Sequence, residues 1–295
     1  MAVYKRTYRA YQGALTPAWS RFTVLARYGF ATLFDSKPFT AYAVLCLVPF
    51  IMTLAVIYAV NNATVQALLN MRPGQSPPIN NLFFLRFLGV EAWMSFILTA
   101  WRVPGMISMD FANQGIQLYL SRPISRAEYL VGKLCALGTL LSFTSWIPAL
   151  LLFLVQAALR GHGWGWENLG IAVAIVISGL LGIVVVSLIA MAIAVWVRWR
   201  IAATALMMGI FFFLPAFGAV LNAVLGTRWG WLLNFGYLIV EIWAKLFRVV
   251  DQPLHSGSGL YLVPLWAAWT MLLVVCVTCI ALLNRRLKAR EVVYS

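Results

Sequence analysis

Six stretches of the chain stay apolar over about 20 residues or more, the length that crosses the hydrocarbon core of a bilayer. They run over 39–60, 82–101, 134–159, 169–197, 201–225 and 260–283. The first is set off by Lys37-Pro38 and closed by Asn61-Asn62. The fourth is long enough to tilt or to project beyond the membrane. With no low-complexity tract and no convincing repeat, the pattern predicts one all-α integral membrane domain over 1–295 with six spans.

Two further helices are weaker in hydrophobicity and clearer in period. Over 17–36, Trp19, Phe22, Ala26, Phe30 and Leu33 recur at spacings of three and four, with Arg21 and Arg27 off that stripe. This predicts an amphipathic helix lying in the inner leaflet and leading into the first span. Over 228–250, "WLLNFGYLIVEIWAKLF" is short for a span and carries Glu241 and Lys245 at i,i+4, where they can pair. It is expected to be an interfacial or re-entrant helical segment on the outer face.

Between the second and third spans the pattern changes character. "GMISMDFANQGIQLYL" is polar enough to leave the membrane, yet keeps Ile116, Tyr119 and Leu120 at helical spacing. Pro123 disfavours helix at Arg122. Ser125-Arg126-Ala127-Glu128 then fits a capping box, in which Glu128 reaches back to the Ser125 N–H and restarts the helix. Lys133 alone reads as a positive anchor. A capped corner preceded by an amphipathic helix is more than anchoring needs.

Composition agrees with a membrane location. Of the 295 residues 63% are hydrophobic and 10% charged, against roughly a quarter charged in soluble domains. The net charge of +14 sits mostly in short connections, so it reads as positive-inside bias and not as a nucleic-acid surface. With both termini inside, 16 of the 22 lysines and arginines fall on the cytosolic side. The basic start has no apolar core ahead of a cleavage site, so the first span is expected to direct insertion.

Chemistry-bearing residues are few. Cys276-x-x-Cys279 lies inside an apolar run without a histidine beside it, as do Cys46 and Cys135, and these read as core residues. His162 and His255 stand apart, and Asp35, Asp110 and Asp251 sit at span edges or in loops, so no metal motif or carboxylate dyad emerges. Glu91, in the outer half of the second span, is a default functional candidate, lining a path or pairing with a cation on another helix. Arg86 and Arg102 are expected to snorkel toward headgroups, and Pro148, Pro215 and Pro264 to kink their helices.

The run "PGMISMDFANQGIQLYLSRPISRAEYLVGKL" resembles the cytosolic segment of ABC-2-type permeases, the membrane subunits of ATP-binding-cassette exporters. The resemblance covers the order of elements along the whole chain. It implies that 106–133 is a coupling segment docking on an ATPase subunit, with Asp110, Asn113, Gln114, Tyr119, Leu120, Ser121 and Arg122 at the contact. Arg126 and Glu128 would hold the corner. No G-x-x-x-x-G-K-[ST] phosphate loop is present, so ATP and Mg²⁺ belong on the partner chain. The resemblance also implies a second permease and export across the inner (plasma) membrane, and spans with almost no internal charge, a poor tunnel for ions, point to an amphiphilic substrate. An ion-coupled secondary transporter built around Glu91 is the rival reading, and it leaves the charged corner without a role.

Overall fold

The computed structural model describes residues 20–34, 36–68, 77–112, 126–161, 163–197, 199–249 and 263–291. Among them the regular structure is helical throughout: α1 (Arg21–Leu33), α2 (Lys37–Leu45), α3 (Val48–Asn61), α4 (Ala63–Leu68), α5 (Asn81–Ala112) and α6 (Arg126–Thr144) come first. Then follow α7 (Trp146–Arg160), α8 (Trp164–Glu167), α9 (Leu169–Trp196), α10 (Arg200–Leu225), a 3₁₀ turn (Trp229–Leu233), α11 (Phe235–Leu246) and α12 (Leu265–Glu291). Among the described residues, six helical stretches are long and apolar enough to cross a membrane: Lys37–Asn61, Asn81–Gly105, Ala127–Arg160, Leu169–Trp196, Arg200–Leu225 and Leu265–Arg286.

Two spans are each built from two helices, and proline explains both breaks. Pro49 is the second residue of α3 and has no N–H for the Leu45 carbonyl, so the ladder turns at Cys46–Leu47, where the Leu47 N–H bonds Val44 instead. Pro148 does the same to the Thr144 carbonyl, and Ser145 makes the turn, its hydroxyl donating to Leu141. Pro215 lies inside α10 without interrupting it. Pro264 differs from expectation: it precedes α12, and its carbonyl accepts the Ala267 and Ala268 N–H groups, so it begins a helix instead of kinking one. Correspondingly, Val263 and Pro264 are not helical and the last span starts at Leu265, not at 260.

α9 is the central helix, packed against α5, α6, α7, α10, α11 and α12. Every residue from Ser187 to Val195 is buried, as expected of a helix that is apolar on all sides. Its outer stripe of Val173, Ile177, Leu180 and Val184 faces away from the protein. Aromatic rings fill the seam between α5 and α10, with Phe96 and Phe211 4.6 Å apart. Single polar bonds tie the remaining helices: Asn61 Nδ2 donates to Gln156 Oε1 (2.8 Å), and the Ser95 and Thr144 hydroxyls meet at 3.0 Å. In an apolar medium such bonds are worth about 1 kcal/mol each.

α1 packs along α6, not on lipid alone. Among its described side chains Leu25 and Gly29 are enclosed, and a Cβ on Gly29 would stand 3.1 Å from the Ala136 methyl. On the predicted stripe, Ala26 and Phe30 are half-buried. The contact with α6 at Gly29 lies beside that stripe, of which the Trp19, Phe22 and Leu33 side chains are outside the described ones.

After α10 the chain turns at Gly226 (φ +60) and folds back along the same helix. Gly230 lies against Gly218, the Gly230 N–H donates to Asn222 Oδ1 (2.7 Å), and the Phe235 ring is 6.4 Å from Phe211. Phe211 is about 20 Å from the end of α10 at 1.5 Å per residue. α11 then climbs back out between α9 and α12, its Trp243 ring over Gly182, until the Phe247 carbonyl accepts Asn81 Nδ2 (2.6 Å).

Candidate functional site

The helix ends fall at two ends of the bundle. One, the basic end, gathers Arg102, Lys133, Arg200 and Arg286. These cations rest on aromatic rings or backbone carbonyls. Arg102 lies over Phe39 (5.7 Å) and is half-buried. Lys133 is only 6% exposed, its ammonium 5.8 Å from the Tyr129 ring, so it is no free anchor. Arg286 lies over Trp196 (5.3 Å).

At this end α5 does not stop at residue 101. It continues unbroken through Pro104 to Ala112, carrying the second span straight into the predicted coupling segment. Pro104 supplies no N–H to the Ala100 carbonyl. Thr204 of α10 does instead, its hydroxyl donating to Ala100 O at 3.0 Å. One residue on, Arg200 Nη2 donates to the Trp101 carbonyl (3.4 Å). Gly105 makes room for that arm, since a Cβ there would stand 3.2 Å from Arg200 Cδ and Nε. The start of α10 thus clamps the proline joint of α5.

The clamp escaped the sequence reading. Pro104-Gly105 is visible in the chain, but nothing local connects it to a threonine 100 residues later. Of the predicted contact residues, Asp110 lies on the last turns of α5, Arg126 begins α6, and Glu128 is half-buried in its first turn. Asn113, Gln114, Tyr119, Leu120, Ser121 and Arg122, with the Ser125 cap, lie outside the described residues.

Glu91 is 0% exposed, about 15 Å along α5 from Asn81. Neither carboxylate oxygen has a hydrogen-bond partner among the described residues. No basic partner meets it among the described residues, where it is buried between helices. Cys276 and Cys279 are free thiols on α12, the latter within the core.

At the opposite end, Glu241 is buried on α11 with Lys245 one turn later. Burial pushes its carboxyl above the ordinary carboxylate range, and the Tyr237 hydroxyl and Lys245 ammonium oppose that shift. Arg228 and Arg160 are exposed at this end, as is Arg86.

A family model described as ABC-2 family transporter protein matches residues 104–284, more than half of the chain, beginning at the proline joint. No curated protein matches.

Proposed function

The chain belongs to the ABC-2 family of transporter proteins, and from that premise we propose that it is the permease subunit of an ATP-driven exporter. ATP and Mg²⁺ are bound by a separate ATP-binding-cassette subunit, which docks on 106–133. A second permease, a copy or a related chain, completes the translocation path. The substrate is amphiphilic, a lipid, lipid-linked glycan, peptide or drug, because spans with so little internal charge make a poor tunnel for ions. The domain lies in the inner (plasma) membrane with both termini cytosolic, so the basic end is the cytosolic one and the 3₁₀–α11 hairpin is re-entrant from outside.

The observation that carries this reading is the continuity of α5 from Asn81 to Ala112. A push on the coupling segment acts on a rigid rod that is also the second span. The rod pivots where Pro104 removes a ladder bond, and Thr204 and Arg200 pass the displacement to α10. Packed helices shift as bodies, so a small movement at the tip becomes a tilt of two spans.

Two measurements test this. The full chain, purified mildly from its native membrane, is expected to carry a stoichiometric subunit with a phosphate loop, identified by mass spectrometry. Charge reversal, R122E with R126E, is expected to lower transport roughly tenfold or more through lost docking contacts while the spans stay folded. Full transport and intact ATPase association in the doubly reversed chain would sink the coupling assignment. If no ATPase co-purifies or binds when added back, ion-coupled transport through the unpartnered Glu91 takes its place.

A further inference from the structure

The central helix α9 and the last helix α12 pack along each other, and both reach the basic end. There Arg286 of α12 lies over the ring of Trp196, the last residue of α9, at 5.3 Å. Arg285, beside it in sequence, is exposed. We propose that Arg285 and Arg286, with Trp196, bind the phosphate headgroup of one anionic phospholipid.

The charge of this pair is uncompensated among the described residues. A ring face orients a guanidinium and carries no net charge of its own, and Arg286 Nε is enclosed without a hydrogen-bond partner. Each helix that packs on α12 can be checked for an acid. α9 and the 3₁₀ turn have none, and on α11 Glu241 is at the opposite end of the bundle, one turn from Lys245. On α12 itself Glu291 comes five and six residues later, beyond the i+3 and i+4 spacing of helical neighbours. Asp110 and Glu128 belong to α5 and α6, whereas α12 packs on α9, α11 and the 3₁₀ turn. Arginine suits such a place better than lysine, because its planar fork stacks on a ring and still matches two oxygens of a phosphate.

The lipid-facing side of α12 leads to the same point. Val274, Val277 and Ala281 are exposed at spacings of three and four, and Arg285 follows four residues on. An acyl chain lying on that stripe therefore ends at an arginine. Trp196 and Trp199 are 47% and 79% exposed, and exposed tryptophans of membrane proteins collect at headgroup level. Basic residues at the ends of spans attract anionic lipids in general, which needs charge and no fixed geometry. Here a second helix holds one of the two guanidinium groups in place, so the site has a geometry and a stoichiometry. It goes beyond the exporter reading and needs neither an ATPase nor a substrate. The proposed orientation decides only which leaflet supplies the lipid.

The test places the full-length chain in nanodiscs of phosphatidylcholine containing increasing phosphatidylglycerol. Lipid retained on release into the gas phase is counted by native mass spectrometry. One phosphatidylglycerol per chain is expected to be held preferentially, and R285Q with R286Q is expected to reduce its retention roughly tenfold or more. R27Q with K37Q removes the same charge from two exposed positions of α1 and α2 and is expected to leave retention unchanged. Equal losses in the two pairs would mean general attraction and overturn the site. So would the absence of any preference, or retention unchanged in R285Q with R286Q at unaltered unfolding temperature. Because Arg285 is exposed, R285Q alone leaves packing intact and decides the matter if the double variant misfolds. A parallel arm titrates inorganic phosphate in phosphatidylcholine alone. Retention of phosphatidylglycerol that depends on Arg285 supports the lipid whether or not the free ion binds. Phosphate binding without that retention overturns the lipid assignment.

Discussion

Gly218 and Gly230 show how much of this fold rests on single hydrogen atoms. Each presents its Cα to the other's carbonyl, and a Cβ on either would run into backbone that cannot swing aside. This contact lets the 3₁₀ turn lie directly on α10 and lets Asn222 reach the Gly230 N–H. G218A is therefore expected to destabilise the protein by about 1–3 kcal/mol, the usual cost of forcing volume into a packed contact. G138A is the matched control, because nothing stands within 4 Å of a Cβ at that helical position. There the gain of helix propensity should stabilise by about 0.5–1 kcal/mol. Unfolding followed by intrinsic fluorescence in one detergent compares the two, and equal effects would show that the close approach does not hold the hairpin. Neither glycine stands out in the sequence, where one sits mid-span and the other between two tryptophans.

At the scale of elements, the proline joint of α5 makes a sharper claim, because two residues from different helices are said to serve one carbonyl. In the native chain T204V leaves Ala100 O without its donor and is expected to cost about 1–3 kcal/mol. In a P104A background the restored N–H at 104 supplies that carbonyl from within the helix. There T204V should cost little, so the two substitutions should be coupled in a double-mutant cycle. Additive effects would mean that Thr204 does not stand in for the missing ladder bond. The spans that were legible from sequence are instructive beside this joint. α9 and α10 begin and end within a residue of expectation, because a break with an arginine on either side of Trp199 separates two uniformly apolar runs. α5 overran its expected end at 101 because Arg102 finds a ring to lie on and the polar run beyond it still forms helix. The breaks at Cys46–Leu47 and Ser145 were not expected as breaks, since a proline in an apolar run reads equally as a bend.

For the whole molecule the open physical question is which end faces the cytosol, and charge and packing give separate reasons for one answer. The positive-inside rule weighs short flanks, and the basic end collects the α5–α6 connection, the α9–α10 break and the close of α12. The hairpin at the other end makes its own contribution. If 3₁₀ turn and α11 crossed the membrane as one span, α12 would run the other way and its tail would emerge outside. Instead the hairpin returns to the end it started from, tied there by Asn81 to Phe247. Cysteine labelling separates these arrangements. With the four native cysteines replaced, W166C, 82% exposed between α7 and α9, should react with a membrane-impermeant maleimide in intact cells. S295C should react only after the membrane is opened. Labelling of S295C alone in intact cells would invert the molecule and remove 106–133 from reach of any cytosolic ATPase. Labelling of both would mean an even number of crossings after Trp166, with the hairpin as the fourth. That outcome would leave the coupling segment inside while making the hairpin a seventh span.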